Sequence, residues 1–379
     1  MTQVGELSAD AVLAAIRWRP FRLPLRHRFE AAHGALSDRT GVLIECVAAD
    51  GTRGTGEASP LPSLGDGTVA DVLALLAAHA PELARQDSLP TSGPGAAALA
   101  CALDAARLEI AARQRGVSAT ALLTSSPVSP SGVRANAVIG TGSPDEVARY
   151  GREALAAGYE VLKLKVAAGP LDADIACVEA LRAACPGTPI RLDANGGWTE
   201  AQAAEALQRL EGLRIELIEQ PVAPADLDGM RRLRGRGIRI AADEAASNLA
   251  DGRRVVAAGA ADLLVLKPMR LGGLRPALEL ARAAHAAGLP SIATTTFDSS
   301  LGTAVALLLA AVLDAEGLNP DGLAHGLSTG DHLADDLTTP ALVPGRGRLR
   351  VARGSGLGVT VDVAALERLA TAPWAEWRA

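Results

Sequence analysis

Seven short runs rich in β-branched residues or leucine follow one another between Val133 and Thr296, each separated from the next by a stretch of helical periodicity. They begin at Val133 (VRANAVI), Glu160 (EVLKLKV), Ile190 (IRLDAN), Ile215 (IELIEQP), Ile238 (IRIAADE), Asp262 (DLLVLKP) and Pro290 (PSIATTT), with a weaker eighth near Leu323. Helical stretches between or after them include Asp172–Ala184, Thr199–Leu210, Arg253–Ala258, Leu274–Ala287 and Thr303–Ala315. Strict alternation of strand and helix predicts parallel strands joined by right-handed crossovers. Seven or eight such units in roughly 200 residues suit a closed β/α barrel better than an open sheet. No GxGxxG follows the first run, which argues against a dinucleotide-binding sheet.

The ends of these runs carry the chemistry. Five in succession finish in ionisable residues: Lys163 and Lys165, then Asp193, Glu219, Asp243 and Lys267. From Lys165 onward they are spaced 28, 26, 24 and 24 residues apart, about one strand–helix unit each. That places them at one height, on the C-terminal rim where barrel enzymes hold their reacting groups. Three carboxylates at the ends of buried strands repel one another, so positive charge must sit among them. With no His or Cys in the set, a hard divalent cation is expected, most simply Mg²⁺, with Mn²⁺ possible. The alternative is a ring of structural salt bridges with the neighbouring lysines. Lys163 and Lys165, two apart, share a strand face and are expected to point into the barrel mouth. Two adjacent ammonium groups near a dication are expected to lower each other's pKa, leaving one able to act as a base near neutrality. Lys267 is expected across the barrel from Lys165. An amine on either flank suits removal of a proton next to a carboxylate, with the cation stabilising the dianion that forms.

The first third of the chain reads differently. Strand-like pieces at Ile16–Leu25, Gly41–Ala48 and Arg53–Ala58, the last two joined by Asp50-Gly51, predict a hairpin sheet. Ala- and Leu-rich helical sequence follows from Val69 to about Leu123. The Pro/Ser stretch Ser125–Gly132 is a plausible boundary. With 37 Lys plus Arg against 43 Asp plus Glu and only 2% aromatics, nucleic acid is an unexpected partner. Cys46, Cys101, Cys177 and Cys185 form no CxxC and are expected as free thiols of a reducing compartment. No signal-peptide pattern and no long uncharged apolar stretch is visible, so a cytoplasmic protein without membrane contact is expected. Oligomeric state is left open.

Lys163-Leu-Lys165, Asp193-Ala-Asn195, Glu219-Gln-Pro221, Asp243-Glu244 and Lys267-Pro-Met resemble the signature set of the enolase superfamily, in its muconate-lactonizing subgroup. The resemblance extends over nearly the whole chain: Gly54–Pro62 resembles the capping hairpin and its loop, Cys101–Gly116 a capping helix, and Gly347–Asp362 a segment returning to the cap. It implies a (β/α)₇β TIM-like barrel capped by an α+β domain built from both termini. The corresponding divisions are an N-terminal cap over 1–130, a barrel over 131–345 and a C-terminal segment over 346–379. It implies Asp193, Glu219 and Asp243 as metal ligands, Lys165 and Lys267 as the acid/base pair, Lys163 as their helper, and Asn195 and Glu244 as groups behind the ligands.

The subgroup's activities include o-succinylbenzoate synthesis, N-succinylamino acid racemisation, dipeptide epimerisation and muconate cycloisomerisation, all through one enolate step. Dipeptide epimerases resemble one another in an Asp-x-Asp near the eighth strand, which His325–Asp331 (HGLSTGD) lacks. That stretch, Phe297–Gly302 (FDSSLG) and Glu57–Pro62 (EASPLP) look more like o-succinylbenzoate synthases of the menaquinone pathway. The resemblance therefore implies loss of water from a small carboxylate substrate, with racemisation or epimerisation as the alternative, cycloisomerisation less so, and a non-catalytic binding barrel remote. It places Ser299, Ser300 and Gly302, at a helix start, against the substrate's second carboxylate; plain N-capping is the competing reading. Pro62 and Phe29 are placed beside the substrate, and His33 is read as a loop residue.

Overall fold

The computed structural model describes residues 12–31, 34–85 and 92–379, with side chains described outside 29–35. Three antiparallel strands come first: β1 (Leu13–Ala31), β2 (Gly34–Ala48) and β3 (Arg53–Ala58). Gly51, at φ +82°, supplies the left-handed residue of the turn between β2 and β3. Helices α1 (Val69–Arg85), α2 (Ala96–Arg115) and α3 (Ala119–Leu123) follow. α2 is buried on almost every side, which explains a helix of Ala and Leu with no polar stripe. It lies flat on β3 because Gly54 and Gly56 have no side chain. A Cβ on Gly56 would stand 2.0 Å from the Ala102 carbonyl oxygen, and one on Gly54 1.9 Å from that of Ala106. The Gly56→Ala protein is expected to lose about 1–3 kcal/mol of stability, as overpacking does. Denaturant unfolding checks this; an unchanged midpoint would show that the helix can move away freely.

The barrel begins with β4 (Val133–Arg134) and β5 (Ala137–Ile139). It continues through α4 (Pro144–Ala156), β6 (Leu162–Lys165), α5 (Leu171–Ala184), β7 (Ile190–Asp193), α6 (Glu200–Arg209), β8 (Ile215–Glu219), α7 (Leu227–Leu233) and β9 (Arg239–Ala242). Then come α8 (Leu249–Ala258), β10 (Leu263–Leu266), α9 (Pro268–Leu271), α10 (Leu274–Ala286), β11 (Ser291–Ala293) and α11 (Ser300–Ala315). Strands β5 to β11 pair in sequence order as one parallel sheet. The weak eighth run closes it. His325 N–H donates to the Arg134 carbonyl (2.8 Å) and Gly326 N–H to that of Ala293 (2.9 Å), so this segment bridges the first and last strands. The His325 ring accepts at Nδ1 from Ala293 N–H (2.9 Å), leaving Nε2 to face Asp314 (3.1 Å) as the protonated nitrogen.

Two elements of the C-terminal segment return to earlier parts of the chain. β12 (Arg348–Leu349) pairs with β4, and after α12 (Val363–Leu369) the last strand, β13 (Ala375–Arg378), pairs with β1 at the edge of the N-terminal sheet. Among the described residues no helix is long and apolar enough to cross a membrane, and all four cysteines are buried and free.

Alternation along the barrel strands fixes which side chains meet inside. Leu217, Ala241, Leu263, Val265, Ile292 and Leu323 form a small apolar cluster of their own, the filling of the barrel. Residues two positions further on share their direction. Glu219 follows Leu217, Asp243 follows Ala241, and Lys267 follows Val265. These charged residues therefore form the inward layer next above the apolar filling. Arg191, two before Asp193, is 1% exposed and spends its guanidinium on Glu216, Asn136 and the Ala324 carbonyl.

Candidate active site

Strand register brings the charged residues to one level. Lys165 lies opposite Asp193, and Asp193 opposite Glu219. Glu219 pairs with Ala241, two before Asp243. Lys163 Nζ bridges Glu219 (2.6 Å) and Asp193 (2.8 Å). Lys165 Nζ reaches Asp193 (2.6 Å) and Asn195 Oδ1 (2.9 Å), and Lys267 Nζ reaches Asp243 (2.5 Å). β6 and β10 are separated by β7, β8 and β9, so in a barrel of eight staves the two lysines stand on opposite walls. The carboxylates lie between them.

After β7 and β8 the non-glycine residues Asn195 (+44°) and Gln220 (+41°) hold positive φ, each at a cost of about 1–3 kcal/mol. Both turns are held by their side chains. Asn195 Nδ2 donates to Glu244 (2.8 Å), joining the Lys165 side of the site to the Asp243 side. Gln220 Oε1 accepts from the N–H groups of Asp243 (3.2 Å) and Ala245 (3.0 Å), and its Nε2 donates to the Val222 carbonyl (2.9 Å). The Gln in Glu219-Gln-Pro221 thus anchors the loop that carries Asp243, a role the motif alone did not reveal.

Burial works against every charge here, and the balance differs by residue. Lys163 would be lowered by burial, but Asp193, Glu219 and Asp243 together hold it well above its ordinary value. Lys267 is likewise raised, burial being outweighed by Asp243 and Glu244. The mutual lowering of the lysines expected from their spacing is therefore reversed for Lys163, because carboxylates surround it more closely than ammonium groups do. Burial opposes ionisation of Asp193, yet Lys163 and Lys165 hold it far below the usual carboxylate range. Glu219, with Asp193 beside it, is pushed by burial up to about 8.

These observations bear on a cation. Four buried carboxyl groups (Asp193, Glu219, Asp243 and Glu244) face three ammonium groups, of which Lys163 is buried and Lys165 and Lys267 are partly exposed to the cavity, and Glu244 Oε2 is buried without a hydrogen-bond partner. Oxygen donors from three adjacent strands, short of positive charge, fit a hard dication. As they stand the acids lean on the lysines. Among the described residues no three acidic, His or Cys side chains converge as ligands of one ion.

A cavity of about 320 Å³ opens above this cluster, with Lys163, Lys165 and Lys267 in its lining. Its other walls are Pro62 and its neighbours Leu61, Ser63 and Leu64, then Thr294–Phe297, Gly326 and Thr329. Pro62 is among the residues that line it, and Ser299, Ser300 and Gly302 are not. Ser299 N–H and Oγ and Gly302 N–H donate to Glu57 of β3, and Ser300 N–H and Oγ donate to Asp336. The start of α11 is satisfied by two protein carboxylates, so its amides are already spent. The Phe29 side chain and His33 lie outside the described residues. Thr294–Thr296, Gly326 and Thr329 were not singled out from sequence, since a threonine run at a strand end resembles ordinary strand sequence.

The enolase C-terminal domain-like family matches residues 146–365. A chloromuconate cycloisomerase of Pseudomonas putida is 37% identical over 174 residues, 46% of each chain, so the match spans about half the length of that relative. An o-succinylbenzoate synthase of Thermobifida fusca is 37% identical over 226 residues, 58% of this chain and 67% of the relative. Among solved structures, a dipeptide epimerase from Enterococcus faecalis complexed with Mg and the dipeptide L-Leu-L-Tyr superposes with a TM-score of 0.83 at 24% identity, covering 92% of this chain and 99% of that one.

Proposed function

Because this chain belongs to the enolase superfamily, we propose that it uses a divalent metal to remove the proton α to a substrate carboxylate and then expels water from the β-carbon, as an o-succinylbenzoate synthase does. The observation that carries this reading is the placement of Lys165 and Lys267 on opposite walls of one cavity, with Asp193, Glu219 and Asp243 between them. Those three carboxylates would hold the cation, most simply Mg²⁺, which the solved dipeptide epimerase also carries. When bound it would supply positive charge to the carboxylate of the substrate.

The remaining steps belong to the side chains. Lys165, in its neutral form, takes the α-proton, and the C–H electron pair moves into the carboxylate to give an enediolate. Lys267, which Asp243 and Glu244 keep protonated, faces that dianion from the other wall. The pair then returns to form the Cα–Cβ double bond as the β C–O bond breaks, and Lys165 gives its proton to the departing hydroxide. Lys163 stays charged between Asp193 and Glu219 and holds both in place. Asn195 keeps Lys165 and Glu244 at a constant separation. Water loss is preferred because the sequence match to an o-succinylbenzoate synthase runs over 226 residues, against 174 for the chloromuconate cycloisomerase at the same identity. The acidic residue after the eighth strand, Asp331, is engaged by the Tyr159 hydroxyl rather than turned to an ammonium-bearing substrate.

N-succinylamino acid racemisation is the second reading, supported by the same placement of Lys267, from which a proton could be returned to the opposite face. Each substrate offered to purified protein with Mg²⁺ separates the two. Dehydration is expected to have the higher kcat/KM, and a value well below that for racemisation would overturn the choice.

A further inference from the structure

Two buried charged residues outside the acid and lysine cluster sit behind one wall of the cavity. Arg39, on β2, is 1% exposed, and Glu57, on β3, is 2% exposed. The Arg39 guanidinium spans the junction between sheet and barrel. Its Nε donates to the Thr296 carbonyl (3.1 Å), its Nη1 to the Pro60 carbonyl (2.7 Å) and its Nη2 to that of Ser59. Thr296 and Leu61, next to Pro60, both line the cavity. One planar fork therefore sets the separation of two walls, which a single-point ammonium could not do. Glu57 makes the parallel link. It accepts from Ser59 Oγ (2.6 Å) on its own side and from Ser299 N–H (3.1 Å), Ser299 Oγ and Gly302 N–H (2.9 Å) on the barrel side. Between these anchors Phe297 holds φ +61°, a conformation a bulky residue keeps only under constraint. The Asp298 carboxylate braces the same bend through Thr296 N–H (3.2 Å) and Oγ1 (2.5 Å). Burying a guanidinium and two carboxylates here costs far more than apolar packing would.

We infer that Arg39 and Glu57 are positioning residues that lock the wall Thr294–Phe297 onto the Ser59–Leu64 loop and so decide which carboxylic acid the cavity accepts. They touch no reacting atom. The inference deepens the reading proposed above, and its kinetic arm rests on that reading. Its structural arm does not.

The experiment uses Arg39→Lys and Glu57→Gln in the full chain with Mg²⁺, and Asp336→Asn as a comparison that loosens the same helix start without touching Arg39 or Glu57. Backbone amide exchange over residues 294–303 is expected to speed up at least tenfold in whichever of the first two folds. Unchanged protection in both overturns the inference, whether or not any substrate is turned over. Among substrates that share the reacting carboxylate and differ in the rest of the molecule, Arg39→Lys is expected to raise KM about tenfold, keep kcat within about threefold, and change the order of preference. Asp336→Asn is expected to keep that order. A fall in kcat at constant KM and constant order, as from fewer intact molecules, overturns the inference, as does an equal change of order in Asp336→Asn. Wild-type protein inactive on every acid would instead defeat the proposed reaction and leave amide exchange to decide the positioning role.

Discussion

Lys165→Met is expected to lower turnover by about 10²–10⁴-fold, the usual contribution of a positioned proton-transfer group. Methionine nearly matches the length of the lysine and leaves the barrel mouth filled. The neighbouring Asp193 keeps its other partner, Lys163, at 2.8 Å, so it is not left as an unpaired buried charge. The fold is therefore expected to survive, with thermal unfolding close to that of the wild type. Lys267→Met is the informative companion. If water loss is the reaction, both variants fail on the same substrate. If racemisation is, one variant should still exchange the α-proton of one enantiomer with D₂O while interconversion stops. Lys165→Met turning over within tenfold of the wild type would remove the assignment of this lysine as the base.

Removal of divalent cations by a chelator is expected to reduce turnover by about 10³-fold or more, and added Mg²⁺ to restore it. Stabilising a dianion beside a dication supplies several kcal/mol, and each ~1.4 kcal/mol is tenfold in rate. The fold should be spared. Asp193, Glu219 and Asp243 are each paired with a lysine at 2.5–2.8 Å, so the carboxylates do not confront one another without a cation. The measurement is activity and thermal unfolding in parallel, before and after chelation. Full activity in the chelated protein would rule out the proposed role of the cation.

Parts of the architecture were legible because they follow from local rules. Helices expected at Asp172–Ala184, Thr199–Leu210 and Leu274–Ala287 occur at Leu171–Ala184, Glu200–Arg209 and Leu274–Ala286. α8 and α11 start four and three residues earlier than the apolar pattern indicated, at Leu249 and Ser300. Their first turns are announced by Asn248 and Ser299 side chains that accept backbone N–H groups, not by apolar spacing. α4 was not singled out, although Ser143 and Glu146 form a complete capping box that sequence could have shown. The first barrel run divides into β4 and β5 because Ala135 bridges to His325 and Asn136 N–H donates to the His325 carbonyl, 189 residues away in the chain.

Sequence by itself determined the barrel and the ring of charge at its mouth. A period of two along a strand and a repeat of 24 to 28 residues between strands are enough to aim Lys165, Asp193, Glu219, Asp243 and Lys267 at one level. What surrounds a substrate was decided by partners distant in the chain. Ser299 and Gly302 look like anion-binding groups until Glu57, more than 240 residues before them, takes their donors. Arg39 looks like a surface residue of a strand until folding buries it between two walls. A hydrogen-bond donor can be spent only once, and which acceptor claims it depends on distances in space that spacing along the chain does not contain.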